Sequence, residues 1–247
     1  MPQLSGAVVL VTGANGGLGR HFVEQALARG AAKVYAAARR PQEWNESRVI
    51  PLALDVTDPA SIRAAVAQAP DVTVLINNAG IAVESDTLLA LPDEEFRNVM
   101  ETNFFGPVAL TKAFAPVLAA SGTSAVLNIH SALSWIALTG AYSASKAALW
   151  SATNSFRVEL APQGTHVTGV HVGYIDTAMA KGVDAPKISP EEVVRKSFDG
   201  LEQGDYEVIV DDITAGVKLG LSGAISDLYP ALAANAPARP RQSLKTS

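Results

Sequence analysis

The 247-residue chain has no cysteine, which excludes disulfides, thiolate catalysis and any zinc site with cysteine ligands. It is also short of charge. Charged residues make up 17% and apolar residues 48%, and 19 lysines and arginines against 24 aspartates and glutamates leave a formal net charge of −5. That balance excludes a disordered chain, and the mild acidity argues against a nucleic-acid binder working through a basic surface. No uninterrupted apolar run approaches the roughly 18 residues needed to cross a bilayer. Ala7-Val8-Val9-Leu10-Val11 and Val74-Leu75-Ile76 have instead the length of buried strands. No Lys or Arg precedes Arg20, so the start lacks the charged region of a signal peptide; a cytoplasmic protein with no membrane partner is expected. The four histidines, at 21, 130, 166 and 171, show no His-Glu-x-x-His spacing, and there is no Gly-x-Ser-x-Gly elbow. Neither a metal site nor a serine hydrolase is expected.

Short β-branched runs at 7–11, 33–38, 49–54, 72–76, 124–130, 166–172 and 207–210 alternate with helical patterns near 17–29, 59–69, 93–120, 142–161 and 190–202. Such alternation implies right-handed βαβ crossovers and an α/β fold with helices on both faces of a parallel sheet. The connection Arg39–Arg48 is at the lower limit for a crossover, and Pro41 with the mixed residues after it predicts a loop or single turn. No repeat or linker divides the chain. One domain is expected over 1–235, followed by a tail, 236–247, that is loose or ordered against a partner subunit.

The segment Gly13-Ala14-Asn15-Gly16-Gly17-Leu18-Gly19 follows the first strand and opens a helix. Glycines let the main chain turn sharply and approach a pyrophosphate, while the helix N-terminus offers unpaired N–H groups and a positive dipole end. No Lys-Ser/Thr follows, which disfavours a nucleoside-triphosphate loop. At the tip of the second strand, Ala38-Arg39-Arg40 stands where an NAD site expects a carboxylate. A guanidinium there favours a 2′-phosphate, so NADP(H) is the expected cofactor and Arg39 its reader.

Two residues with chemistry follow further on. Tyr142 and Lys146 are four apart at a helix start and share one face, where an ammonium lowers a phenol pKa from about 10. Ser131 closes the fifth strand, which puts its hydroxyl at the carboxyl edge of the sheet, where ligands bind in open α/β folds.

With these motifs in order, the chain from about Ala7 to Thr177 resembles the short-chain dehydrogenase/reductase family in a single-domain, carbonyl-reductase-like form. The likeness rests on Thr12-Gly13-x-x-x-Gly17-x-Gly19, Asp55-Val56, Asn77-Asn78-Ala79-Gly80, Asn103, Ser131 and Tyr142-x-x-x-Lys146. It implies a Rossmann-type doubly wound fold, a seven-stranded parallel sheet in a single domain. By the same resemblance Tyr142 donates a proton to a substrate carbonyl, Ser131 hydrogen-bonds that oxygen, and Lys146 holds the nicotinamide ribose. Asn103 supports a water that relays protons to Lys146. Asp55 and the Val56 main chain meet the adenine, Asn78 and Ala79 line the ribose, and the Ile175 main chain and Thr177 hydroxyl meet the carboxamide. A homodimer or homotetramer through the helices at 93–120 and 142–161 is implied as well.

The sequence departs from that pattern in places. Ser131 and Tyr142 are 11 residues apart, closer than in the family, with Ser134 as a worse-spaced rival. Val172 stands before Gly173 where the family has proline, loosening the backbone there. Only Ala178 to Ser189 are available as a lid, which predicts an open pocket walled by Trp135, Tyr174 and Met179. Val83 is a further candidate wall, and Ile136 and Leu138 could serve the pocket or the core equally. His130 is expected to be buried packing. The function these residues predict is NADPH-dependent reduction of an apolar ketone or aldehyde. The alternatives are an NAD-dependent alcohol or hydroxysteroid dehydrogenase and a non-catalytic dinucleotide-binding redox sensor.

Overall fold

In the computed structural model, which describes residues 2–83, 87–229 and 231–232, seven strands form one sheet. They are β1 (Val8–Thr12), β2 (Lys33–Ala38), β3 (Val49–Ala53), β4 (Val74–Asn77), β5 (Ser124–Ile129), β6 (Thr165–His171) and β7 (Glu207–Ile209). All pairings are parallel, in the order β3-β2-β1-β4-β5-β6-β7. The expected tail, 236–247, lies outside the described residues.

Successive side chains of a strand point to opposite faces, and here each face meets its own core. Val9 and Val11 of β1 pack with Phe22, Ile76, Leu127 and Phe198, under α1 (Gly17–Ala28) and α6 (Pro190–Gln203). Leu10 between them joins Leu52, Leu75, Phe114 and Val126 on the other face, with α2 (Pro59–Gln68), α4 (Gly106–Ala120) and α5 (Gly140–Leu160). All six residues of β5 are buried, as a strand covered on both faces requires. Residues 39–48 carry no helix, in keeping with Pro41 and the shortness of that connection.

The expected helix 93–120 is three pieces: α3 (Asp93–Met100), a π-helical turn over Glu101–Phe105, and α4. Pro107 lacks the N–H that would close on the Asn103 carbonyl in a regular α-helix, which accounts for the break there. Asp93–Ala120 is long enough to cross a membrane, and an 18-residue window within it, at mean hydropathy 1.2, is apolar enough by composition. Its apolar residues Leu110, Phe114 and Leu118 are instead fully buried against the sheet.

A helix with no counterpart in the sequence pattern, α7 (Asp212–Gly220), follows β7. Its N-cap is Asp211, whose side chain accepts the Thr214 N–H at 2.8 Å. Between β1 and β4 the strand order reverses, and the diverging connections open a crevice at the carboxyl ends of the strands.

Candidate active site

At the end of β1, Thr12 ties the crevice together. Its hydroxyl donates to the Ile76 carbonyl (3.2 Å) and accepts the N–H groups of Asn78 (2.9 Å) and Ala79 (3.0 Å). Asn78 Nδ2 returns a bond to the Thr12 carbonyl at 2.8 Å. Gly13 and Gly17 have φ of 68° and 51°, which side chains disfavour. A Cβ on Gly19 would lie 2.1 Å from the Gly13 carbonyl oxygen, so the close packing of α1 on the loop demands glycine. No side chain caps α1, and its first turn holds no acidic residue. Its leading N–H groups are therefore left to an anion, and the cradle suits a dinucleotide pyrophosphate.

The outer end of this site lies at the tips of β2 and β3. Arg39 is exposed, and Asn15 Nδ2 donates to the Arg40 carbonyl at 2.7 Å. Asp55 accepts the Thr57 N–H (2.9 Å) and hydroxyl (2.7 Å). These bonds, helped by the charge of Arg39, hold its carboxyl below the ordinary range. Val56 packs under Gly106, where a Cβ would lie 3.0 Å from Val56 Cγ2.

One cavity of about 560 Å³ runs from the glycine loop across the ends of β4, β5 and β6. Gly13, Gly16, Gly17, Leu18, Asn78, Ala79, Ser131, Tyr142, Lys146, Ile175 and Thr177 all line it. Lys146 Nζ donates to the Ile129 carbonyl at 2.8 Å and lies 5.6 Å from the centre of the Tyr142 ring. Ser131 Oγ accepts the Leu133 N–H (3.1 Å), which leaves its own proton free to donate outward. Ser134 is the worse placed of the two serines, because its hydroxyl turns back to accept the Ser131 N–H at 3.3 Å. Asn103, fully buried in the π-helical turn, uses its whole amide as a clamp. Its Oδ1 accepts the Ile81 N–H (2.8 Å), and its Nδ2 donates to the Ile81 carbonyl (2.9 Å) and Ser145 Oγ (3.1 Å).

The electrostatics correct one expectation. Burial pushes the Tyr142 phenol up to about 12 and pulls the Lys146 ammonium down to about 8. Desolvation outweighs the attraction between phenolate and ammonium, so the phenol is not brought towards neutrality. At neutral pH the phenol is protonated.

The end of the cavity beyond Ser131 is apolar. Ala82, Val83, Ile136, Leu138, Tyr174, Met179, Val183, Ile213 and Val217 line it, and Lys146 is the one Lys, Arg, Asp or Glu among the described lining residues. Ile213 and Val217 come from α7, which the sequence pattern does not reveal because its glycines blur the apolar spacing. Trp135, expected as a wall, is not among the lining residues. Its ring stacks on His171, with centres 4.0 Å apart and planes 10° apart, and meets Trp150 edge-on.

The chain is similar to known proteins in sequence and fold. The family described as short chain dehydrogenase matches residues 7–187. A dehydrogenase/reductase SDR family protein 7-like of Drosophila melanogaster is 32% identical over 261 residues, covering 92% of this chain and 79% of its own. A short chain dehydrogenase from Burkholderia cenocepacia J2315, solved in complex with NADP, superposes with a TM-score of 0.88 at 37% identity, over 94% of this chain and 99% of that one. An NADPH-bound carbonyl reductase from chicken fatty liver gives 0.76 at 28% identity, over 85% and 93%. With its doubly wound sheet, its glycine cradle and a match over most of its length, the chain belongs to the short-chain dehydrogenase family of oxidoreductases.

Proposed function

We propose that the protein is an NADPH-dependent carbonyl reductase acting on uncharged, apolar ketones or aldehydes. The observation that carries this reading is the make-up of the cavity, with the glycine loop, Ser131, Tyr142 and Lys146 at one end and apolar side chains at the other. A bound nicotinamide supplies the hydride. Tyr142 gives its phenolic proton to the substrate oxygen, and burial keeps the phenol protonated near neutrality. The Ser131 hydroxyl donates to the same oxygen, its direction set by the bond it accepts from Leu133. Lys146, with one N–H engaged by Ile129, keeps two donors for the nicotinamide ribose. Asn78, Ala79, Ile175 and Thr177 hold the cofactor along the cavity. Asn103 keeps the Ile81 segment beside Lys146, and with its amide committed there its main chain is what would support a water through which Lys146 is reprotonated.

Arg39 would read the 2′-phosphate, with Asn15 bracing the same loop, and Asp55 and Val56 would hold the adenine. The NADP-bound relative, at 37% identity, supports this choice of cofactor. Tyr174 and Met179 would wall the substrate. Exposed Phe105 and Val158, on the π-helical turn and α5, favour assembly as a cytoplasmic homodimer or homotetramer through those helices.

A panel of aryl alkyl ketones and aldehydes, followed by oxidation of NADPH and NADH, tests the reading. Turnover with NADPH is expected. A strong NADH preference overturns the role of Arg39, and tight dinucleotide binding with no turnover overturns the enzyme itself.

A further inference from the structure

Behind Ser131 stands a group of aromatic and charged side chains, running from buried His171 to exposed Lys218, that the reaction does not use. His171, the last residue of β6, is fully buried. Its Nδ1 lies 3.3 Å from the Ser131 carbonyl oxygen, and Trp135 covers its ring face to face. We propose that His171, clamped by Trp135, is a positioning residue for Ser131, holding the serine main chain so that its hydroxyl meets the substrate oxygen. The proposal rests on the reading of Ser131 given above.

Ser131 sits where an extended strand turns abruptly. It has φ −150° and ψ 161° and caps the short 3₁₀ turn Ala132–Ser134. Its carbonyl accepts the Ser134 N–H at 3.0 Å and, on its other lone pair, His171 Nδ1. Both bonds fix the peptide plane that follows the serine. That plane carries the Ala132 N–H, which donates to the Val172 carbonyl at 3.0 Å. With valine at 172 no ring restricts φ at this turn. The side chain of the neighbouring residue, His171, supplies a cross-strand tie there.

The tautomer follows from the partners. Nε2 of His171 makes no hydrogen bond, although Glu207 Oε1 lies 3.4 Å away. Glu207 is engaged by Lys218 through its other oxygen. A carbonyl oxygen can only accept, so the contact of Nδ1 with the Ser131 carbonyl assigns a proton to Nδ1. Burial pushes His171 down to about 3, so the donor does not change with working pH. The clamp continues outward, since Lys218 Nζ lies 5.6 Å from the centre of the Trp135 ring. Trp135 thus acts on the site from outside the cavity, through the ring beneath it.

Isosteric variants test the proposal, assayed with NADPH and the ketone turned over fastest by the wild type. His171→Asn places an amide N–H where Nδ1 stood, whereas His171→Gln places it at Nε2 and His171→Phe keeps only the ring. The Phe and Gln variants should lose about tenfold in kcat, the worth of one hydrogen bond fully felt in the transition state, with KM for NADPH unchanged. The Asn variant should keep most of the wild-type kcat. In a Ser131→Ala background the change His171→Phe should have no further effect on kcat. Equal kcat losses in the Asn and Gln variants, or an undiminished loss in the Ser131→Ala background, would show packing alone and overturn the proposal. If His171→Phe does not fold, the Asn and Gln pair decides. Full activity in Ser131→Ala itself overturns instead the catalytic reading on which the proposal rests.

Discussion

Along the glycine loop the cleft is made of main chain. Gly13, Gly17 and Gly19 bring the backbone close, Thr12 bolts β1 to the segment after β4, and the uncapped start of α1 offers its N–H groups. Beyond Ser131 the cleft is made of side chains. Ile136, Leu138, Tyr174, Met179, Ile213 and Val217 arrive from separate segments after β5, β6 and β7. A main-chain site has little freedom to vary, because each N–H and each close approach is set by backbone geometry. A wall of apolar side chains can exchange members while staying apolar. Sensitivity to substitution should therefore be concentrated at the cofactor end and at the residues that touch the reacting oxygen.

The largest effect should come at the junction of the two ends. Tyr142→Phe removes the proton donor and should lower kcat by about 10²–10⁴-fold, while NADPH affinity measured by fluorescence titration stays close to wild type. Retained turnover would remove Tyr142 from its role.

Next in size is the stability carried by Lys146. Burial holds its pKa at about 8 against an ordinary 10.5, so between those values the unfolded chain binds more protons than the folded one. Stability therefore rises with pH across that window, and below pH 8 a penalty of about 3 kcal/mol is fully present. Tyr142, raised to about 12 from 10.0, works in the opposite direction above pH 10. For the cofactor-free protein, Lys146→Met should raise the urea midpoint relative to wild type most at pH 7, and the difference should shrink towards pH 10. A difference independent of pH would contradict the burial argument.

Gly19→Ala sharpens the main-chain half of the comparison. Its Cβ would fall 2.1 Å from the Gly13 oxygen, and backbone displacement of that kind costs about 1–3 kcal/mol. Lower Tm and weaker dinucleotide binding are expected together, whereas an unchanged affinity would show that the loop can open without loss. Arg39→Ser should weaken NADPH binding by about tenfold and leave NADH unaffected, since it removes one charge-assisted contact. The smallest change is expected from Leu138→Ala at the half-exposed apolar rim. Thermal stability should move little and KM for a bulky ketone should rise only modestly. A collapse of kcat there would break the contrast between the two ends.

How much was legible before the structure follows from the reach of each interaction. Tyr142 and Lys146 are one helical turn apart, and the glycines of the loop lie within seven residues, so local spacing places them. The crossover at 39–48 could be read from Pro41 and its length. The π-helical turn at Asn103 was not, although Pro107 four residues on is its cause. Trp135 is the plainest miss. An aromatic residue in a loop beside the active end looks like a pocket wall, yet its partner is His171 from the next strand, 36 residues away, and that contact draws the ring out of the cavity. Ile213 and Val217 could not be assigned because α7 reaches the cavity only after β7 has been added to the sheet. The phenol pKa differs from the expectation for a related reason. Sequence shows that Lys146 is near but not how deeply both groups are buried, and here burial wins.

By itself, then, the amino-acid order determined the strand and helix alternation, the glycine cradle and the tyrosine–lysine pair, all of which depend on neighbours within a turn or two. Only the tertiary structure decided which apolar side chains line the cavity, where Trp135 and His171 meet, and the proton affinity of Tyr142 and Lys146. Those properties belong to surfaces made by segments remote in the chain, and to the exclusion of water between them.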